Sequence, residues 1–438
     1  MMSPCAAGRL LAVPALTLAT TLGTPTAQAF SPPAIDDKWL PKPALPAPPW
    51  PTVQREICAT MTVDAGPGRN RPTGLGDLSA VWQLSRGTGQ RVAVIDTGIS
   101  RHLRLPDVVP GGDYVSTGDG TQDCDAHGTL VAGIIAAAAD SKTDGFSGMA
   151  PEATLISIRQ SSAKFGPTTG RSHTGVGDVE TLAKAVRTAA DLGASVINIS
   201  SVACAPVASA LDDRALGAAL AYAVDVKNAV IVAAAGNAGG AGQCPAQRAD
   251  ATWQTITVAV SPAWYDDYVL TVGSVNVRGA PSAFTLAGPW VDVAAPGEAV
   301  TSLAPDPVSG TSYAAPVVSG LAALIRARFP ALTARQVMQR IETTAHHPPA
   351  GWDPLVGNGT VDPLAAVSTG TGPPGDSPGP AKAPVPVTVP PPSQPRDSRA
   401  RDTALRGAGI CLVALALALA TGAMRGRLRR ARDRVACD

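Results

Sequence analysis

The feature that most narrows the fold is an alternation of two hydrophobic patterns between Arg91 and Ala234. Arg91-Val92-Ala93-Val94-Ile95 is rich in β-branched residues and has no polar face, as expected of a strand buried on both sides. Similar runs recur at Thr154 to Arg159, Ser195 to Ile199 and Ala229 to Ala234, and helical patterns at Val179 to Leu192 and Ala208 to Val226 separate the last three. A strand that returns in the same direction after a helix must cross one face of the sheet. The alternation therefore predicts an α/β fold of three layers, a mostly parallel central sheet with helices on both faces.

The 438 residues exceed one ordinary domain, but proline and the apolar runs are unevenly spread, which argues for one large domain with appendages. Arg9, the apolar stretch Leu10 to Leu22 and Ala27-Gln28-Ala29 have the form of a secretory signal over 1–29, cleaved after Ala29. Residues 30–78 carry Pro41, Pro43, Pro46, Pro48 and Pro49 and should form an extended arm, poor in regular structure, on the surface of a domain spanning 79–367. A spacer rich in Gly, Pro and Ser follows over 368–404. Within 405–424 the run Ala408 to Met424 is uninterrupted by charge and approaches the ~20 residues that span a bilayer, which predicts one transmembrane helix. Arg425, Arg427, Arg429, Arg430, Arg432 and Arg434 crowd the tail, 425–438. By the positive-inside rule that tail is cytoplasmic and the large domain extracytoplasmic, in agreement with a signal at the other end: a single-pass protein of the plasma membrane.

Formal net charge is +1 and no dense basic block lies outside the tail, so a nucleic-acid partner is not expected. Of seven cysteines, this topology places Cys58, Cys124, Cys204 and Cys244 in an oxidising compartment, where they can pair in three ways. No C-x-x-C or Cys/His cluster of zinc spacing is present, and no acidic loop has the six to eight oxygen ligands, roughly, that calcium takes, so neither metal nor cofactor is expected.

Three short motifs carry chemistry. Val94-Ile95-Asp96-Thr97-Gly98 places an acid at the C-terminal end of a hydrophobic strand, where open α/β sheets build their sites; alone, it also reads as a turn carboxylate. His127-Gly128-Thr129 opens an apolar helix predicted to run to Ala139, with a glycine that permits close approach. Gly310-Thr311-Ser312-Tyr313-Ala314-Ala315-Pro316 precedes a helix predicted over Ala314 to Arg328, where a serine is also a common N-cap. Their order, Asp then His then Ser, is what makes them specific, because it is the order of the subtilisin triad. A serine hydroxyl needs a base to take its proton, and the base needs a carboxylate to fix its tautomer. The developing oxyanion needs a preset donor, which Asn237, in Ala234-Ala235-Gly236-Asn237 at a strand end, can supply.

From about Ser79 to Pro363 the chain resembles the subtilase family, which implies a subtilisin-like fold, Asp96, His127 and Ser312 as catalytic residues, Asn237 as oxyanion donor and Ser200 on the edge that binds substrate backbone. Subtilases usually continue that edge as Ser-x-Gly-Gly; here it reads Ser200-Ser201-Val202-Ala203, and Val202 is expected to obstruct or reshape the cleft and narrow the choice of substrate. The arrangement of signal, arm, domain, spacer, helix and tail, with Trp82-Gln83-Leu84-Ser85-Arg86-Gly87 and Asn198 to Cys204, resembles the mycosins, the subtilases of actinobacterial type VII secretion systems. That resemblance implies the pairs Cys58–Cys124 and Cys204–Cys244, and an arm retained rather than removed. It also implies an endopeptidase cleaving a narrow set of exported proteins beside membrane components of the secretion complex, or alternatively a mainly structural part of that complex with dispensable proteolysis.

Overall fold

The computed structural model describes residues 30–60, 76–139, 146–169, 175–209, 211–240 and 243–368. The expected signal, the spacer beyond Ser368, the membrane helix and the basic tail lie outside them. Among the described residues no helix is long and apolar enough to cross a membrane. The strands and helices run in the order β1 (Thr52–Gln54), α1 (Ser79–Leu84), β2 (Arg91–Asp96), β3 (Val108–Asp113), α2 (His127–Ala136), β4 (Thr154–Arg159), β5 (Phe165–Pro167), α3 (Val179–Asp191), β6 (Val196–Ile199) and β7 (Ala203–Pro206). Then come α4 (Arg214–Ala221), β8 (Val230–Ala234), β9 (Val258–Ser261), β10 (Leu270–Val275), β11 (Val293–Pro296), α5 (Thr311–Arg328), α6 (Ala334–Thr343) and α7 (Pro363–Ser368).

Seven strands form one sheet in the order β11-β10-β8-β6-β2-β4-β3, and every neighbouring pair in it is parallel. Helices α2 and α5 pack together on one face and α3 and α4 on the other, so β2, β4, β6, β8 and β10 are buried almost throughout, as their unbroken apolar sequences require. The chain builds β3 and β4 to one side of β2, then turns to lay β6, β8, β10 and β11 on the other. The reversal leaves a crevice at the C-terminal ends of β2 and β6, the place where such sheets bind ligands.

Several boundaries differ from those the sequence predicts. Helix α2 stops at Ala136, α4 starts only at Arg214 because Val207–Ser209 forms a separate 3-10 turn, and α5 starts at Thr311, which puts Ser312 inside its first turn. Strand β3 was hidden by its sequence, Val-Val-Pro-Gly-Gly-Asp, which reads as a turn. It is tolerated because β3 is an edge strand, and the register shifts between Pro110 and Gly112.

The arm, as described over 30–60, is largely extended and lies along the domain surface. Phe30 N–H donates to Trp253 O at 2.7 Å, the Arg214 guanidinium stacks 3.9 Å from the Trp39 ring, and Arg187 Nη1 donates to Pro41 O at 3.2 Å. The arm then contributes a strand the proline content did not foretell: β1 pairs antiparallel with β5, and the arm reaches Cys124 through Ala59 N–H to Cys124 O, 2.8 Å, and a Cys58–Cys124 disulfide. A second disulfide, Cys204–Cys244, ties β7 to the loop after β8.

Candidate active site

Asp96 ends β2 in the middle of the sheet and is 1% exposed. Its Oδ1 accepts from Thr97 N–H at 2.7 Å and pairs with His127 Nδ1 at 2.7 Å. An ionised carboxylate is an acceptor only, so Nδ1 carries the proton and Nε2 is left as the basic nitrogen. The approach depends on Gly128: a Cβ there would stand 2.1 Å from Gly98 O and 3.1 Å from Asp96 Oδ1, so only glycine lets the start of α2 settle against the end of β2. Burial works to lower the His127 pKa, but the charge and hydrogen bond of Asp96, with Asp123 and Asp125 farther off, outweigh it and leave the imidazole above its ordinary value.

Ser312 sits in the first turn of α5 and is 9% exposed. The neighbouring Tyr313 ring stacks at a tilt against the His127 imidazole, centroids 5.1 Å apart, and burial with the charges of Asp96 and Asp123 pushes its hydroxyl up to about 12. No hydrogen bond joins Ser312 Oγ to the His127 ring in this structure; in ligand-free sites such bonds are often long and tighten only with substrate. The backbone of Ser312 is fixed by an unusual route. Pro316 stands four residues on in the helix and has no N–H, so the Ser312 carbonyl lacks its intrahelical donor. Ser200 Oγ supplies the missing hydrogen at 2.8 Å, Asn198 Nδ2 donates to Ser200 Oγ at 2.9 Å, and Ser319 Oγ donates to Asn198 Oδ1 at 2.8 Å. The hydroxyl of Ser200 is thus turned inward to hold the Ser312 backbone.

Asn237 follows β8. Its Oδ1 accepts from Thr311 N–H at 2.9 Å and from Thr311 Oγ1 at 3.0 Å, which fixes the amide so that Nδ2 is the free donor. The space at Gly310, φ 156°, lies next to both groups: a Cβ on that residue would lie 2.9 Å from Ser312 Oγ and 3.4 Å from Asn237 Nδ2. The Ser312 hydroxyl and the Asn237 amide therefore both lie beside one point that a side chain on residue 310 would occupy. Along the neighbouring edge, Val202 lines a small cavity. A Cβ added to Gly236 would meet Val202 Cγ2 at 3.5 Å, with Leu286 and the Cys244 sulfur at similar distances, and the cavity, about 150 Å³, lies between Ser201, Val202, Ala203, Gln160, Asp178 and Leu182.

The structure brings all five sequence-derived residues, Asp96, His127, Ser312, Asn237 and Ser200, to the C-terminal edge of the sheet. Asn198, Ser319, Tyr313, Thr97 and Asp123 also belong to the site, although the sequence alone assigns them no role. The first two sit inside an apolar strand and an apolar helix, where a polar residue was itself the unused signal.

Residues 87–359 match the model of the subtilase family. The chain is 68% identical over 450 residues to mycosin-4 of Mycobacterium tuberculosis, covering 98% of each chain. It resembles the structure of the MycP3 protease from the type VII (ESX-3) secretion system with TM-score 0.71 and 46% identity, over 77% of this chain and 99% of that one. A chain in the structure of an intact ESX-5 inner membrane complex matches with TM-score 0.72 and 41% identity, over 89% of this chain and 99% of that one.

Proposed function

The chain belongs to the subtilase family and, within it, to the mycosins, and from that premise we propose that its serine protease chemistry is carried by Asp96, His127 and Ser312, with Asn237 as oxyanion donor. His127 Nε2 takes the Ser312 proton as Oγ attacks the peptide carbonyl, Asp96 stabilises the imidazolium through Nδ1–H, and Asn237 Nδ2 donates to the carbonyl oxygen as it becomes negative. His127 then gives the proton to the leaving amine, and water hydrolyses the acyl-enzyme by the same steps in reverse. The observation that carries this reading is the 2.7 Å Asp96–His127 bond, together with a Ser312 hydroxyl and an Asn237 amide that both lie beside Gly310. An alkyl fluorophosphonate, which reacts only with an activated serine, tests it. It should label the full chain at Ser312, and Ser312→Ala or His127→Ala should abolish labelling; labelling elsewhere, or none, overturns the assignment.

The substrates are a narrow set of proteins exported by a type VII system. The catalytic domain works outside the plasma membrane, freed of the signal over 1–29, retaining the arm and held by the helix within 405–424, with the basic tail in the cytoplasm. What supports this placement is the sequence pattern of both ends together with the likeness to a chain of an ESX-5 inner membrane complex. The same likeness favours a second role, as a stabilising component of the secretion complex.

A further inference from the structure

We propose that Asp123 is a positioning residue for the catalytic pair, acting with Thr97 as a clasp that sets the distance between the end of β2 and the start of α2. The proposal rests on the triad reading above. Its carboxylate accepts five hydrogen bonds: Oδ1 from Thr97 Oγ1 at 2.8 Å, Ala126 N–H at 2.8 Å and Asp125 N–H at 3.1 Å, and Oδ2 from Thr129 N–H at 2.8 Å and Thr129 Oγ1 at 2.7 Å. The donors lie on both sides of the catalytic pair. Thr97 is the residue after Asp96, and its N–H also holds Asp96 Oδ1; Ala126 is the residue before His127.

The local backbone shows why such a clasp is needed. Ala126 is the N-cap of α2, has no side chain that can cap and stands in the left-handed region at φ 67°, a conformation an alanine keeps only when its surroundings hold it. Helix N-termini leave several N–H groups without intrahelical partners. Here Asp123 accepts that of Thr129, and Thr97 Oγ1, donating to Asp123, accepts that of Gly128 at 2.9 Å. One carboxylate thereby shapes the turn, caps the helix, and bonds to the chain beside the catalytic acid. The negative charge also lies at the positive end of α2. Burial raises its pKa against the hydrogen bonds of Thr129 and Thr97, and the Asp96 charge adds to the rise.

Thr97→Val isolates the geometry, because it keeps size and charge and removes only the hydroxyl that joins Asp123 to Gly128 N–H. In the full chain it should lower the limiting rate of inactivation by an alkyl fluorophosphonate roughly ten- to hundredfold, with the binding constant of the reagent unchanged. Thr97→Ser should recover most of the rate, and Asp123→Asn should lose at least as much as Thr97→Val. In a Ser312→Ala background the His127 titration, followed by NMR, should fall towards the ordinary imidazole value in Thr97→Val as the bond to Asp96 loosens. This second readout needs no turnover, so it still decides the inference if the wild-type chain fails to react and the triad reading falls. An unmoved His127 titration, a rate within twofold of wild type, or a loss confined to reagent binding would each overturn the clasp.

Discussion

At the scale of single residues the site is a problem of placing charge and leaving space. His127 must be neutral at Nε2 to accept the Ser312 proton, and Asp96 raises its pKa above the ordinary value of about 6.5. Activity should therefore rise with pH through a His127 midpoint higher than that of a free imidazole; a midpoint at or below about 6.5 in the profile of fluorophosphonate inactivation would contradict the Asp96 pairing. The corresponding stability term has the opposite sense. A raised imidazole pKa favours the folded chain below the unfolded value, and that contribution is lost as pH rises through the folded one. Gly310 is a matter of space, since a methyl group there would fill the point shared by Ser312 Oγ and Asn237 Nδ2. Gly310→Ala should cost at least as much as removing the amide donor, about 10²-fold or more in rate, and should also lower the melting temperature, because side-chain-bearing residues rarely adopt the backbone conformation at this position. A variant that keeps its activity would show that the oxyanion is held elsewhere.

At the scale of elements the arm is bound by its own strand pairing and by a covalent link. The Cys58–Cys124 disulfide closes a span of 66 residues, and closing a loop of that length stabilises by about 4 kcal/mol in the chain-entropy account. Replacing both residues with serine should lower the melting temperature markedly and expose the arm to added protease, because β1 then holds to β5 by only three paired positions. An unchanged melting temperature would mean that β1 and the contacts at Trp39 and Pro41 suffice. The same bridge ends one residue from Asp123, so the loop before His127 is fixed through its main chain at Cys124 and through its carboxylates at Asp123 and Asp125. Asp125 Oδ1 accepts from Ala163 N–H at 2.8 Å, in the segment leading to β5.

At the scale of the whole molecule, proteolysis and a role in assembly are separable because they use different parts. Asp96, His127 and Ser312 gather at the C-terminal ends of the strands, whereas the segments proposed to attach the chain to the membrane lie outside the described residues. Ser312→Ala, a small change at a buried helix start, should leave the fold intact. Expressed in place of the native chain, it should stop processing of exported proteins while export continues, if the assembly role is the dominant one. Collapse of export together with processing would make catalysis the essential function.

The fold class and the candidate reacting residues could both be read along the chain, because both are written in short-range signals. Unbroken apolar strands alternating with helical patterns leave little but a parallel sheet, and Asp96, His127 and Ser312 each stand in a compact motif. The edge strand β3 and the strand β1 were not legible, since pairing at an edge is decided by what lies alongside rather than by the segment's own composition. Nor were the supports of the site. Asp123 looks like an ordinary turn residue, Asn198 and Ser319 like minor breaks in apolar runs, and Ser200 like part of a substrate-binding edge rather than a support for the Ser312 backbone. Only the tertiary structure brings the Ser312 carbonyl, stripped of its donor by Pro316, up to Ser200, and only it lays Asp123 between Thr97 and Thr129. These supporting hydrogen bonds join residues up to 121 positions apart and depend on packing, which has no local signature.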